Sequence, residues 1–554
     1  MRLLLLGVLG AGGILSAAPP TLTSLFPAGG QVGATSSVTF TGKVNEGKTA
    51  VWVEGAGVTF GNPDAKGVTS VTIAKEATPG LRLLRLFDAE GASALRWFSV
   101  GVVSEINETE PNDALGGGQA LAQSPICVNG ALAKSGDVDG FTLQVEAGQT
   151  VVAVAEAYAL GSPVDAVLNV YDEKGTRLAT AHDGRNLDPV LQFPVTRAGR
   201  YTVQISGFTH PPAADVKFTG GASIIYRLHI TTGPVALRVF PAVAGVGITS
   251  KVDLRGANLE KKDTTFEVDG KAFRSARSLQ RLSLPRWTLG PLEVISSALV
   301  PILEREPNQI AADANRIAQP GIAAGAISAA GDVDRFAFDG KKGERINVSV
   351  RAKQLGLPLD GMLKIESADG KVLATADDQG DLPDPSADFT PAADGVFQAV
   401  VSDLFNKGGP AHEYVIEIGP APADLEATLN GDDAFMLTAG KSMDITGKVK
   451  RLGGLTGKVV ASVEGLPRGV GAECSVDEKT GDLKIKLTAA PDAEAASASI
   501  RVSILAPDTT PPVLRHAHRL LRGEAKRGTS TLDTSPELWL TVLSIPAPAA
   551  KAAR

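Results

Sequence analysis

Apolar and polar residues alternate in short segments along this chain of 554 residues, and turn residues separate the segments. Residues 199–205 and 226–230 follow this period of two, and so do residues 395–401 and 414–418. Neighbouring side chains of a strand point to opposite faces, so the alternation predicts strands with one buried face. Segments with the helical period are few. The pattern therefore predicts an all-β fold made of antiparallel β-sandwiches.

The opening of one such sandwich occurs twice. Residues 25–42 and 239–256 are identical at nine of eighteen aligned positions, and each copy has a Phe-Pro pair, a turn containing glycine and an alternating strand. The second copy has no clear counterpart of the strand and turn at 80–91, although 292–294 is a candidate remnant. The repeat predicts a sandwich that is reduced in its second copy.

A second repeat is acidic. Glu-x-Glu-Pro-Asn at 108–112 is followed by Gly-Asp-x-Asp-x-Phe at 136–141, and the same two motifs occur in the same order at 304–308 and 331–336. In an extended segment the two acids of each pair face one way, so loops can bring the pairs together. Such a cluster of hard oxygen donors suits calcium.

Both repeats together predict a duplicated two-domain unit and a different final sandwich. The length remaining after an export signal gives four or five domains at about 100 to 150 residues each. The predicted divisions are a signal peptide at 1–18, module 1 at 19–103, module 2 at 104–232, module 3 at 233–302, module 4 at 303–420 and module 5 at 421–554, with a frayed tail from 545.

The two acidic motifs, an Asp/Gly turn and a Gly-x-Tyr/Phe strand occur in this order in modules 2 and 4, which therefore resemble the bacterial pre-peptidase C-terminal domain. That family includes the collagen-binding domains of secreted bacterial collagenases. Modules 1 and 3 resemble the immunoglobulin-like domains found beside such domains. The resemblance implies a string of immunoglobulin-like and jelly-roll-like β-sandwiches that are all accessory modules, since the chain contains no visible peptidase motif.

The resemblance also implies calcium ligands in both copies. In module 2 they are Glu108, Glu110, Asn112, Asp113, Asp137 and Asp139, and in module 4 they are Glu304, Glu306, Asn308, Asp332 and Asp334. Gln309 replaces Asp113 in the second copy, so we expect weaker binding there. In the alternative interpretation the acidic tag is a linker and the Gly-Asp-x-Asp segment a turn, whose carboxylates accept local backbone N–H bonds.

The first residues predict export. Met1-Arg2, an apolar run over 3–15 and small residues at 16–18 are typical of a signal peptide. No later segment approaches about 18 uninterrupted apolar residues, so the sequence gives no support to a lasting transmembrane anchor. The net charge of −7 argues against a nucleic-acid partner. A secreted or cell-envelope location, in the periplasm or at the cell surface, is the expectation.

Residues that usually carry catalysis lie in no recognisable motif. The six histidines stand outside every nucleophile or zinc pattern, and Cys127 and Cys474 give neither a metal nor a redox spacing. We interpret His229 as a packed or edge histidine and the basic run 515–527 as a solvated loop. Phe141, Phe336, Trp52 and Trp97 are predicted core residues.

These observations predict a non-enzymatic, exported, multidomain protein of the binding or adhesion type, whose modules are stabilised by Ca²⁺. Its partner would be an extracellular or envelope protein or polysaccharide. Two alternatives stay open. The chain could be an accessory subunit or inactive relative of a secreted peptidase or hydrolase, or it could be a structural component of the envelope.

Overall fold

A computed structural model describes residues 18–114, 117–185, 187–209, 217–273, 277–282, 288, 292–378, 383–420, 423–510, 512–521 and 534–544. The predicted signal peptide, except for its last residue, and the predicted frayed tail lie outside these residues. The regular structure of the described residues consists of β-strands and five 3₁₀ turns, so the all-β prediction is confirmed. The 3₁₀ turns are Tyr158–Leu160, Lys261–Asp263, Gly270–Ala272, Ala311–Asp313 and Lys353–Leu355.

Module 1 folds as two sheets that enclose an apolar core. The sheet orders are β1-β3-β6-β5 and β2-β9-β7-β4, with β8 paired to β7. Alternating residues of both sheets, including Val38, Leu84 and Phe98, are buried between them. The strands are β1 (Ser24–Phe26), β2 (Gly29–Gln31), β3 (Thr35–Thr41), β4 (Ala50–Val53), β5 (Val58–Phe60), β6 (Val68–Ile73), β7 (Gly80–Asp88), β8 (Gly91–Ala92) and β9 (Arg96–Gly101).

Module 2 is a larger sandwich. One sheet has the order β10-β12-β20-β14-β18-β17 and the other the order β11-β13-β19-β15-β16. Its strands are β10 (Glu105–Asn107), β11 (Gln119–Ala120), β12 (Ile126–Ala131), β13 (Asp139–Val145), β14 (Thr150–Glu156), β15 (Val164–Tyr171), β16 (Arg177–Ala181), β17 (Gly184–Arg185), β18 (Asp188–Pro194), β19 (Gly199–Thr209) and β20 (Ile225–Thr231).

Module 3 keeps three strands in each sheet, ordered β21-β23-β24 and β22-β26-β25. Its strands are β21 (Val235–Phe240), β22 (Val243–Gly245), β23 (Thr249–Ala257), β24 (Thr265–Asp269), β25 (Leu279–Leu282) and β26 (Leu292–Ser297). The assignment of 292–294 as a remnant of the strand at 80–91 is wrong. Strand β26 pairs in parallel with β22 as β9 does with β2, so β26 corresponds to β9, and β25 takes the position of β7.

Module 4 repeats the topology of module 2 with fewer strands. Its sheets are β27-β29-β36-β31-β34 and β28-β30-β35-β32-β33. Its strands are β27 (Ile302–Leu303), β28 (Asn315–Arg316), β29 (Gly321–Ala326), β30 (Val333–Gly340), β31 (Ile346–Arg351), β32 (Gly361–Ser367), β33 (Val372–Ala376), β34 (Ser386–Phe389), β35 (Gly395–Asp403) and β36 (Glu413–Pro420).

Module 5 has sheets β37-β39-β42-β41 and β38-β47-β43-β40, with β44 paired to β43 and a separate β45-β46 pair. Its strands are β37 (Asp424–Leu429), β38 (Ala434–Thr438), β39 (Ser442–Leu452), β40 (Val460–Glu464), β41 (Val470–Val476), β42 (Asp482–Ala489), β43 (Ala496–Ala506), β44 (Val513–His516), β45 (Arg519–Leu520), β46 (Thr534–Ser535) and β47 (Leu538–Leu543).

The basic run begins in strands rather than in a loop. Arg515 ends in an ion pair with Asp424 at 2.9 Å, and the backbone of His518 bonds to Ala427 and Leu429 in strand β37. Backbone pairing of β44 and β45 therefore orders 515–516 and 519–520, which corrects the prediction for this part of the run. Residues 522–527 lie outside the described ranges.

Most of the predicted core aromatics are in the core. Phe141 and Phe336 are completely buried, as predicted, and half-buried Trp97 packs against the core of module 1. Trp52 is placed differently, with its ring centre 6.1 Å from that of Trp539 in module 5. Among the described residues no helix is both long enough and apolar enough to pass through a membrane.

Candidate metal centres

The first acidic tag crosses from one sheet of module 2 to the other. Strand β10 runs parallel to β12, and after the tag β11 runs parallel to β13 in the opposite sheet. The N–H of Glu108 donates to the carbonyl of Asn129 at 2.9 Å, which extends the β10–β12 pairing into the tag. Module 4 has the same arrangement, since β27 pairs with β29 and β28 with β30. Each tag therefore spans one end of its sandwich.

The Gly-Asp-x-Asp motif lies under the tag. Asp137 is in the turn before β13, and its Oδ2 accepts hydrogen bonds from the N–H groups of Ala133 (2.6 Å) and Lys134 (3.3 Å). Asp139 begins β13, and its Oδ2 accepts a hydrogen bond from the Tyr226 hydroxyl at 2.7 Å. Both aspartates are buried, and in each Oδ2 accepts hydrogen bonds while Oδ1 has no hydrogen-bond partner among the described residues.

Tag and motif together form a cluster of oxygens. One carboxylate oxygen from each of Glu110, Asp113, Asp137 and Asp139 lies within 4.8 Å of the others. The Oδ1 atoms of Asn112, Asp113, Asp137 and Asp139 are buried and accept no hydrogen bond from any described residue. Burying a carboxylate or amide oxygen without a partner is costly, so these oxygens fit a site that receives a cation.

The second cluster is smaller and better satisfied internally. Glu306, Asp332 and Asp334 bring one oxygen each within 4.8 Å of one another. The Gln309 amide donates from Nε2 to Glu306 Oε2 at 3.0 Å and to Asp332 Oδ1 at 3.1 Å. The Oδ1 atoms of Asn308 and Asp334 accept no hydrogen bond within the described part of the chain. The site fits a cation less well because the amide already occupies two of its oxygens.

Glu108 and Glu304 have a place different from the other predicted ligands. Glu108 accepts a bond from the N–H of Ala131 at 2.7 Å on one oxygen and from the Tyr226 hydroxyl at 2.8 Å on the other. Glu304 makes the same pair of contacts with Ala326 and Tyr414. Neither glutamate contributes an oxygen to its cluster. The structure thus uses both to hold the tag against the sheet.

Tyr226, Tyr414 and the glycines beneath them escaped the sequence reasoning. A Cβ on Gly130 would lie 2.2 Å from the Tyr226 ring and 2.6 Å from Glu108 Oε2, and a Cβ on Gly325 would clash in the same way with Glu304 and Tyr414. These glycines leave room for the Tyr–Glu contact. The signal was present, since each tyrosine opens the closing strand of its copy and each glycine precedes an alanine in both copies.

Burial and neighbouring negative charges raise the pKa of carboxyl groups at both clusters. Burial, and next the charge of Glu108, raise the pKa of Asp139 to about 9, and burial raises the pKa of Glu108. Burial and the charge of Asp334 likewise raise the pKa of Glu304. Lys134 Nζ lies 3.0 Å from Asp113 and 3.4 Å from Asp137, where it offsets part of the negative charge. A bound cation would keep these carboxylates ionised.

In module 4 the pKa values of the two clustered aspartates shift in opposite directions. Burial raises the pKa of Asp334 to about 7. Burial also acts on Asp332, but hydrogen bonds from Gln309 and Ser328 outweigh it and leave the pKa of Asp332 below its usual value. The protein therefore supplies Asp332 with donors that Asp137 lacks.

His229 is a packed histidine, as predicted. It is buried with Nε2 at 3.9 Å from the thiol of Cys127 and 3.5 Å from Glu156. Glu156 also pairs with buried Arg227 at 3.2 Å. Within the described ranges, the two acidic clusters are the groups of three or more possible ligands that converge.

Comparisons with known proteins do not assign the chain to a family. No family model and no curated protein matches the chain. The pre-peptidase C-terminal domain of collagenase from Bacillus anthracis matches 21% of this chain and 99% of its own, with 17% identity and a TM-score of 0.17.

Two longer structures match most of the chain. Domains 1–6 of the surface layer protein SbsC match 96% of this chain and 55% of their own, with 9% identity and a TM-score of 0.15. The D1–D4 ectodomain fragment of ICAM-5 matches 89% of this chain and 97% of its own, with 10% identity and a TM-score of 0.12.

Proposed function

We propose that the protein is a non-enzymatic, exported binding protein in which calcium fastens each acidic tag to the rest of its own module. The observation that carries the proposal is the set of buried oxygens without partners in module 2, contributed by Asn112, Asp113, Asp137 and Asp139. Oxygens from the tag and from the turn at 136–139 converge there, and the exposed Lys134 ammonium offsets only part of their negative charge. A cation is the partner that such an arrangement needs.

The donor set selects the kind of cation. It consists of carboxylate and amide oxygens, which are the ligands of hard cations such as Ca²⁺, and it contains neither sulfur nor imidazole. In module 2 the ligands would be Glu110, Asn112, Asp113, Asp137 and Asp139, and in module 4 Glu306, Asn308, Asp332 and Asp334. Calcium takes six to eight oxygens in flexible geometry, so water would complete either shell.

The position of the tag gives the ion a mechanical role. The tag follows strand β10, which already belongs to module 2, and crosses between that sandwich's two sheets. Binding both the tag and the turn at 136–139 would stop the crossing segment from lifting away. The ion would thereby hold strand β10 in place, and because only residues 102–104 separate β10 from strand β9 of module 1, it would limit movement between the two modules.

Calcium titration of the full chain by calorimetry tests this role, with Asp137→Asn and Asp139→Asn as variants. The control is Asp172→Asn, because Asp172 caps a turn in the same module but faces no cluster. We expect loss of one binding event in each cluster variant and two events in the control. Binding that is equal in all four proteins would exclude the first site.

Scattering tests the mechanical part separately. We expect calcium to compact the wild-type chain in solution and to have a smaller effect on Asp137→Ala. Equal compaction of both proteins would contradict the role at the module junction while leaving calcium binding itself intact.

One polar constellation brings a serine, a histidine and a glutamate together in module 5. Ser503 Oγ contacts Glu464 and lies 3.1 Å from His516 Nδ1. A nucleophilic serine needs a histidine that a third group orients, so the histidine must stand in the middle. Here the serine is in the middle, and the three residues join strands β40, β43 and β44 as a polar bridge.

The proposed partner is an extracellular or envelope protein or polysaccharide. Immobilised collagen, peptidoglycan and envelope polysaccharide, with calcium or with a chelator, form the test panel. Saturable, calcium-dependent retention on one of them supports the proposal, and retention on none contradicts it. Hydrolysis of any of these polymers would instead favour the enzyme alternative.

A further inference from the structure

The first and last modules of the chain touch. Trp539 on strand β47 of module 5 is 97% buried, and its ring lies against two aromatic rings of module 1. The ring centre of Trp52 is 6.1 Å away and that of Phe87 is 4.7 Å away. A string of sandwiches with free ends would leave all three rings in water. Here the chain folds back so that its two ends cover them.

A buried charge lies at the centre of this contact. Arg85 of module 1 is 1% exposed, and its Nη2 is 3.3 Å from Asp433 Oδ2 of module 5. The guanidinium carbon lies 5.7 Å from the centre of the Trp539 ring. Asp433 is also 3.6 Å from Arg519. Burial of a guanidinium is costly unless it is paired, so Arg85 depends on a carboxylate that another module supplies.

The paired surfaces are far apart in sequence and different in chemistry. Arg85 and Asp433 are separated by 348 positions, so the backbone between them does not dictate their contact. Module 1 presents the arginine and two rings, while module 5 presents the carboxylate and one ring. A contact between two unlike surfaces can close within one chain or join one chain to the next.

We propose that this contact, formed by Trp52, Arg85, Phe87, Asp433 and Trp539 and here called the terminal clasp, is separable and can be made between two copies of the chain. Within one chain the tether gives module 5 a high effective concentration near module 1, so the closed monomer dominates in dilute solution. When the clasp cannot close within the chain, module 5 of one copy occupies module 1 of another. The partner is thus a second copy of this protein.

Charge-reversal variants distinguish a clasp that closes within one chain from a clasp that forms between two chains. Arg85→Glu brings a second carboxylate to Asp433, and Asp433→Arg brings a further cation to Arg85 and Arg519. Neither variant can close its own clasp, but a mixture pairs the glutamate of one chain with the introduced arginine of the other. The double variant restores the opposite charges within one chain and also shows that both substitutions allow folding.

We expect each single variant alone to be an expanded monomer by small-angle scattering, with red-shifted tryptophan emission because Trp52 and Trp539 become wetted. The equimolar mixture should contain species of at least twice the monomer mass by light scattering, and the double variant should be a compact monomer. Single variants as compact as the wild type would refute the clasp. A mixture that stays monomeric while its components are expanded would refute exchange between copies.

Discussion

Asp113→Asn should weaken calcium binding at the first cluster, and Gln309→Asp should strengthen it at the second. The two clusters differ most at this position, where one has a carboxylate and the other an amide that donates to Glu306 and Asp332. The exchange therefore tests whether the difference between the copies is a difference in metal affinity.

The expected size follows from the exposure of Asp113. Its side chain is 41% exposed, so a water-like dielectric constant of about 80 applies. A unit charge at about 2.4 Å from a divalent ion then interacts with it by about 3.5 kcal/mol. Lys134 lies 3.0 Å from Asp113 and must give up part of its attraction when calcium binds, which reduces the loss. We expect a net loss of about 2 kcal/mol, or about 30-fold in Kd.

Calorimetry on the full chain should resolve both sites in the wild type, Asp113→Asn, Gln309→Asp and the combined variant. Asp113→Asn should lower the calcium affinity of the first site towards that of the second. Gln309→Asp should raise the calcium affinity of the second site by roughly the same factor. A first site that is unchanged by Asp113→Asn, or a second site that is unchanged by Gln309→Asp, would refute the assignment of this position as a ligand.

Three further predictions concern stability. The folded-state pKa of Asp139, about 9, lies above its unfolded value, so the metal-free protein loses stability as pH rises from about 4 to about 9. In thermal melts with a chelator, the melting temperature of Asp139→Asn should exceed that of the wild type at pH 9 but not at pH 5. Phe141→Ala should cost about 3 to 5 kcal/mol by denaturant unfolding, because its ring is completely buried, and a cost under about 1 kcal/mol would contradict its core position. Gly130→Ala should displace Tyr226 and lower calcium affinity, whereas Gly136→Ala, which meets open space at φ +85°, should cost about 1 to 2 kcal/mol of backbone strain and leave affinity unchanged.

The candidate ligands could be predicted because their spacing occurs twice. Two acids separated by one residue must share a side in an extended segment, and Asp137 and Asp139 do bring oxygens to one cluster. The place of Glu108 could not be predicted in this way. Whether its oxygens face an ion or the N–H of Ala131 depends on the parallel pairing of β10 with β12, and on a tyrosine 118 positions away.

Contacts between modules could not be predicted from the sequence either. Trp52 is an aromatic in a short apolar strand, β4, and by residue type belongs to the core of its own module. The structure instead covers it with Trp539, because module 5 returns to module 1. The misassigned strand of module 3 has a related cause, since only the parallel partner of β26 shows which strand of module 1 it replaces.

The buried arginine of module 2 makes the duplicated halves non-interchangeable. A Cβ on Gly29 would lie 2.1 Å from Arg227 Nη1, so module 1 covers that guanidinium with bare backbone. In module 3 the aligned residue is Val243, whose side chain would strike the arginine.

Module 4 has the opposite requirement. There the closing strand β36 buries Glu413 between Arg238 and Arg255 of module 3, and module 1 has the uncharged residues Ser24 and Thr41 at the aligned positions. An exchange of modules 1 and 3 would thus create one collision and one orphaned carboxylate. The two module pairs are thus similar in sequence pattern but keyed differently at their contacts, so modules 1 and 3 cannot replace each other beside modules 2 and 4.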